Sequence, residues 1–302
     1  MSATPRVLAL VGSTASGKSS AAHSFALQRG DVEILSVDSM TVYRGMDIGT
    51  AKPTKSEQGE VRYHLLDLVD ASESYSVAEF QRTARESLAD IASRNKIALL
   101  VGGTGLYGRA IIDNFTMPGE YPQLRASLTT RAETELDAMF QELTELDPSA
   151  AAKIEPTNAR RVVRALEVIH GSGELFSGFG PGLQSYFDSP IPQVGMQPPL
   201  ETVDASIDQR YRSWIEQGLV DEVRALRDSP HGLSRTAAQA VGYKELVPFL
   251  AGESDLESCV LAATLATRQL VRRQRAWFRR DPRIEWFEKT DEVLSRLSTL
   301  VG

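Results

Sequence analysis

Cysteine is almost missing from this chain. Cys259 is the single one in 302 residues, which excludes an intramolecular disulfide and any metal site built from clustered thiolates. Standing alone, it reads as a small buried hydrophobe on a helix. The four histidines, His23, His64, His170 and His231, are scattered without metal-ligand spacing. No apolar run approaches the ~20 residues needed to span a bilayer. Met1 to Pro5 carries neither the charged nor the apolar region of a signal peptide. Internal repeats and low-complexity tails are absent as well. The expectation is a soluble, cytoplasmic protein in a reducing compartment, with no membrane contact and a monomer by default. Its balance of 42% hydrophobic and 24% charged residues is that of a globular chain, not a disordered one. The length suits about two domains at ~150 residues each.

Charge is short on the positive side. The net charge of -7 argues at first against a nucleic-acid partner. Its distribution argues otherwise. Between Leu265 and Arg283 stand seven arginines (Arg268, Arg272, Arg273, Arg275, Arg279, Arg280 and Arg283) against one acid, Asp281. That segment carries +6 and leaves -13 for the rest, so one side of an acidic body could hold a polyanion.

Val7 to Val11 is a continuous apolar run ending at glycine, the pattern of a buried parallel strand. Val32 to Val37, ending at Asp38-Ser39, reads as a second strand, and Ile97 to Val101 as another buried one. Between them, Val77, Phe80, Ala84, Leu88 and Ile91 fall on one helix face. This alternation implies an α/β fold, a parallel sheet flanked by helices, with its ligand at the carboxyl ends of the strands. After Pro118 the period turns helical. Leu124, Leu128, Leu136, Phe140 and Leu143 form one face, and Val162, Val163, Leu166 and Ile169 another. No strand pattern interrupts them, so 116–200 reads as a helical insertion between core segments 1–115 and 201–302. Residues 171–206, with six glycines and five prolines, read as loop. Helical periodicity resumes at Ile207, and a long helix is expected from about Asp255 to Phe278.

Gly12-Ser13-Thr14-Ala15-Ser16-Gly17-Lys18-Ser19 fits G-x-x-x-x-G-K-[ST] and sits between a predicted strand and a predicted helix. With it, the expected sheet becomes one of the P-loop NTPase-like kind. The glycines let consecutive N–H groups point at phosphate oxygens. The following helix adds its positive end. Lys18 would neutralise the terminal phosphate, and the Ser19 hydroxyl would ligate Mg²⁺. The strand Ile97 to Val101 ends in Gly102-Gly103-Thr104-Gly105, without the acid usual in ATPases. The nearest acid at a strand end is Asp38, expected on a neighbouring strand facing the phosphates. There it would hold a magnesium water or take a proton from a nucleophile.

These residues carry a resemblance. Gly12 to Ser19, then Asp38 to Pro53 (DSMTVYRGMDIGTAKP), then Val101 to Tyr107 resemble the tRNA dimethylallyltransferase family. The resemblance continues through Asn158 to Val168, Gly218 to Val223, Gln239 to Glu245, Thr267 to Gln269 and Arg273 to Arg279, in family order over nearly the whole chain. The Asp38 to Pro53 block is the family-specific part. Thr41 stands where the family usually has glutamine, and Gly108 replaces a large apolar residue.

The resemblance implies transfer of a dimethylallyl group from dimethylallyl diphosphate to N6 of the adenosine just 3′ of the anticodon, forming N6-isopentenyladenosine. Lys18, the loop amides and Mg²⁺ would stabilise the departing diphosphate. Asp38 would be the base, and Thr104 would bond the diphosphate or the target nucleotide. The tRNA anticodon stem-loop would meet Asp38, Ser39, Met40, Thr41 and Thr104, with Gly242 and Lys244 also facing it. Arg160, Arg161 and Arg164, at i, i+1 and i+4 opposite an apolar face, would touch its backbone, as would Arg125. Tyr43, Trp277 and Phe278 could stack on bases. The competing expectation is a P-loop kinase binding ATP and phosphorylating a small molecule. A third is a nucleotide-gated RNA-binding protein without catalysis.

Overall fold

The computed structural model describes residues 6–179 and 185–302, so the Met1 to Pro5 segment and part of the expected 171–206 loop lie outside the described residues. The strands are β1 (Val7–Val11), β2 (Val32–Val37), β3 (Tyr43–Arg44), β4 (Tyr63–His64), β5 (Val69–Asp70), β6 (Ile97–Gly102), β7 (Gln193–Met196) and β8 (Ile284–Phe287). Six form one parallel sheet in the order β4-β2-β6-β1-β7-β8, while β3 and β5 pair separately.

Alternation along β1 explains its continuous apolar character. Leu8 and Leu10 share a cluster with Ala22 and Phe25 of α1 (Lys18–Arg29) and with Val293 and Leu297 of the last helix, Thr290–Val301. Ala9 and Val11 point the other way. Their cluster includes Phe80, Ala84 and Ile91 from the helix Val77–Ser93 and Val271 and Phe278 from the helix Leu256–Phe278. Both sheet faces are covered, so β1 and β6 keep no polar side, and the one buried acid of β2, Glu33, is paired with His64 and Arg94. Complete burial of Phe25 alone contributes roughly 1.5–3 kcal/mol.

The helices follow in chain order. α2 is Lys55–Glu60, α3 is Val77–Ser93 and α4 is Gly105–Ile112. Next come α5 (Pro122–Leu146), α6 (Pro148–Ala151), α7 (Ala159–Ser172), α8 (Leu200–Glu216) and α9 (Leu219–Arg227). The last three are α10 (Val247–Leu250), α11 (Leu256–Phe278) and α12 (Thr290–Val301). Local chemistry sets their starts. Thr54 and Glu57 form a capping box on α2, and Ser76 and Glu79 form one on α3. At α11 the Asp255 carboxylate accepts from Ser258 N at 2.8 Å.

The chain divides into two compact units, Met1–Asp113 with Asp188–Gly302, and Asn114–Phe187. The second is helical, with Leu128, Met139, Leu143, Val162 and Leu166 in its core. One expectation is corrected inside 116–200. β7 belongs to the central sheet, and α8 starts at Leu200 rather than near Ile207. β7 has four residues, QVGM, between Pro192 and Pro198, so turn residues hide it. Gly195 also admits Trp286 there, since a Cβ would lie 2.3 Å from its ring.

Candidate active site

β1 ends at Val11 and the chain curls directly into α1. Ala15 (φ 59°) and Gly17 (φ 90°) take left-handed backbone within the curl. A Cβ on Gly12 would lie 2.5 Å from the Met196 carbonyl oxygen, so only glycine leaves the strand beside β7. Lys18 folds back over the loop, its Nζ donating to the Ser13 carbonyl at 3.1 Å. Burial pulls its ammonium pKa down to about 8; Asp38 opposes that shift and Arg210 adds to it. The hydroxyls of Ser13 and Ser16 are buried without a protein partner among the described residues. Unpaired buried hydroxyls are costly unless a ligand completes them.

Asp38 follows β2 and Thr104 follows β6, and Val37 pairs with Gly102 in register. The order corrects one expectation. β6 lies between β1 and β2, so Asp38 is one strand further from the phosphate loop than a neighbouring strand would place it. Chain separation does not dictate strand order; pairing among strands buried on both faces does. Asp38 Oδ1 accepts from Met40 N at 2.8 Å, and Thr104 Oγ1 accepts from Ser39 N at 3.3 Å. Thr41 is buried and shares a 3.0 Å hydrogen bond with the Ser36 hydroxyl.

A cavity of about 460 Å³ opens here, lined by Thr14, Ala15, Gly17, Lys18, Ser19, Asp38, Thr41, Gly103, Arg210 and Gln274 among others. A second, of about 90 Å³, is lined by Met40, Ile207, Tyr211, Val241, Thr267 and Leu270 among others and shares Thr14, Asp38, Thr50, Arg210, Trp214 and Gln274 with the first. A charged trough therefore meets, at Asp38 among other shared residues, a smaller recess whose far side is the more apolar, with Ile207, Val241 and Leu270. Gly242 and Lys244 line neither of them. Gly242 (φ 97°) donates its N–H to Glu245 at 2.7 Å, and Lys244 Nζ lies 3.6 Å from the same carboxylate. Their neighbours Val241 and Tyr243 line the recess instead.

The Asp38 to Pro53 block is held from two sides. Glu222 accepts from the N–H groups of Asp47, Ile48 and Gly49 at 3.1, 2.8 and 3.2 Å and from the Tyr243 hydroxyl at 2.6 Å. Buried Lys52 reaches Asp47 and Asp67, each at 2.6 Å, and the Tyr43 carbonyl at 2.8 Å. Tyr43 itself is fully buried, so it does not offer a face to a base.

Two residues take site roles that no motif stated, Arg210 outside the family blocks and Gln274 within the Arg273 to Arg279 block. Arg210 on α8 donates to Thr14 Oγ1 at 3.5 Å and lies 5.4 Å from the Trp214 ring centre. Burial lowers its pKa. Its place on the helix face of Ile207 and Trp214 is the available signal. Gln274 accepts from Thr14 N at 2.8 Å and donates to the Gly103 carbonyl at 3.0 Å. No local pattern marks that role.

In the helical unit the expected arginines separate. Arg160 and Arg161 are exposed and form no ion pair among the described residues. Arg125 and Arg164 instead flank Glu167, which is fully buried, at 2.8 and 3.0 Å. Burial, the largest single influence, pushes the Glu167 carboxyl up, but these contacts and the Tyr121 N–H together hold it below its usual pKa. On and beyond α11, Arg268 pairs with Asp208 and Arg283 with Asp113 and Asp281. Arg275 donates to the Pro198 carbonyl. Arg272, Arg273, Arg279 and Arg280 are exposed, with no ion pair among the described residues.

A Gly-rich loop feeding a helix at the carboxyl edge of a parallel sheet defines the class, a P-loop α/β protein. Within it, residues 41–281 match the IPP transferase family. The chain is 42% identical over 294 residues to the tRNA dimethylallyltransferase of Bifidobacterium animalis subsp. lactis, covering 96% of this chain and 84% of that protein. It is 44% identical over 287 residues to that of Streptomyces coelicolor, covering 93% and 90%. The crystal structure of the tRNA isopentenylpyrophosphate transferase of Bacillus halodurans superposes with a TM-score of 0.70 at 34% identity, covering 98% and 96%. The chain belongs to the IPP transferase family.

Proposed function

We propose that this protein transfers a dimethylallyl group from dimethylallyl diphosphate to N6 of the adenosine 3′-adjacent to the anticodon of tRNA. The observation that carries the reading is the junction at Asp38, where the phosphate trough meets the recess with the more apolar far side. A diphosphate with a short hydrocarbon tail has that division of chemistry. A kinase would leave the recess and the Asp38 to Pro53 block without a role.

In the reaction the bond from the allylic carbon to the diphosphate oxygen breaks and a bond to adenine N6 forms. The N6 lone pair is delocalised into the ring, so a base that takes the N6 proton assists, and Asp38 is that base. Lys18, Arg210 and the loop amides hold the charge that grows on diphosphate. Thr104 fixes the Asp38 turn through Ser39. The adenine leaves its stack to reach this depth. Exposed Arg160 and Arg161, with the exposed α11 arginines, supply tRNA backbone contacts.

The residues fit Mg²⁺. Ser19 and Asp38 offer oxygen donors on one cavity, and no cluster of three or more His, Cys, Asp or Glu side chains forms a closed metal cage among the described residues. Magnesium typically keeps waters and substrate phosphates as partners. Ser19 would hold it, and when bound it would neutralise diphosphate charge. No described helix is long and apolar enough to cross a membrane. A cytoplasmic monomer completes the proposal.

The test is transfer itself. The protein is mixed with dimethylallyl diphosphate, Mg²⁺ and unmodified tRNA, and the digested nucleosides are weighed by mass spectrometry. Adenosine heavier by one dimethylallyl group supports the reading. Turnover of ATP to ADP with no prenylated product would replace it with the kinase.

A further inference from the structure

At the strand end Gly102 to Gly105, two of the glycines lie against α11. A Cβ on Gly103 would lie 2.8 Å from Gln274 Nε2, and one on Gly105 would lie 2.0 Å from Trp277 Nε1. Gln274 and Trp277 are one turn apart on α11, so α11 contacts both glycines and brackets Thr104 between them. The Gln274 carboxamide also spans two separate walls of the cavity. Its Oε1 accepts from Thr14 N in the phosphate loop at 2.8 Å, and its Nε2 donates to Gly103 O at 3.0 Å. Gly12 O would lie 3.1 Å from the same Gly103 Cβ, so loop, strand end and carboxamide close on one point.

We propose that Gln274 is a positioning residue that fixes the phosphate loop against the strand end carrying Thr104. The inference rests on the proposed transfer reaction, whose two halves meet at these walls. The loop holds the leaving group, whereas Thr104 fixes the Asp38 turn. Their separation sets the distance between the breaking and forming bonds. An amide donates and accepts at once, and at neutral pH it does so without titrating, unlike a carboxyl of the same length.

Two variants of the full chain test it. Gln274→Met keeps the length and removes both hydrogen bonds. It should lower kcat about 10-fold, the scale of one lost hydrogen-bonded bridge, with KM for tRNA unchanged. Inorganic diphosphate affinity, read by calorimetry, should fall several-fold. Gln274→Glu keeps the acceptor for Thr14 but loses the donor to Gly103 until its carboxyl is protonated. Its activity relative to wild type should therefore rise as pH falls. A flat ratio, an unchanged kcat in the methionine variant, or a loss confined to KM for tRNA would each overturn the positioning role. If wild type transfers no allyl group, the reaction assignment fails by itself, and diphosphate affinity still decides whether Gln274 sets the loop.

Discussion

Gly105→Ala tests the docking of α11 on the strand end. The added Cβ would lie 2.0 Å from Trp277 Nε1, 2.2 Å from Cδ1 and 2.7 Å from Cε2. Ordinary carbon contacts are about 3.5–4.0 Å, so the indole must retreat by roughly 1 Å or more. An indole is a rigid plate on a packed helix and cannot absorb this at its tip. Overpacking of this kind costs about 1–3 kcal/mol. Alanine as the first residue of α4 returns part of that, at most about 1 kcal/mol. Overpacking wins, and Tm should fall by a few degrees, at about 2–4 °C per kcal/mol. Transfer should suffer more, because a misplacement of about 1 Å near reacting groups costs on the order of 10²-fold. The assay pairs thermal unfolding with single-turnover transfer. Trp277→Leu in the same chain should recover part of the loss by vacating the indole. Wild-type stability and wild-type transfer in Gly105→Ala would refute the packing account.

Asp38→Ala should keep tRNA binding yet lower single-turnover transfer by roughly 10²-fold or more; unchanged transfer would remove Asp38 from the base role. Lys18, with its pKa pulled down to about 8 by burial, loses its charge as pH rises through that value. Diphosphate affinity should therefore weaken above that pH, by up to about tenfold per pH unit, and calorimetry on Lys18→Arg should lose this added pH dependence. Changing Arg160 and Arg161 together to alanine should weaken tRNA binding and flatten its salt dependence, with Tm unchanged. Glu167→Ala should instead destabilise the helical unit by about 3 kcal/mol in denaturant unfolding, because it strips a buried carboxylate from its arginines.

The residues themselves determined the parallel core and the phosphate loop. Val7 to Val11 and Ile97 to Val101 are apolar without interruption, since both of their faces are covered, and local pattern records that burial; Val32 to Val37 keeps Glu33 and Ser36, yet four of its six residues are apolar. Gly12 to Ser19 is a contiguous motif whose backbone does the binding, so its chemistry is legible in order. β7 is hidden because four residues between prolines carry too little periodicity to stand out. The contacts of Arg210 and Gln274 with the phosphate loop are hidden for a different reason. The two residues stand 196 and 260 positions from Thr14, and only the folded chain brings them to it. The same holds for the arginines. Arg160, Arg161 and Arg164 share one helix and one charge. Arg164 has Glu167 one turn on, but only tertiary packing buries that Glu167 and brings Arg125 to it, while Arg160 and Arg161 stay exposed. A chain's order of residues states which groups it possesses. Burial and pairing, which depend on distant neighbours, decide which of them are available to a ligand.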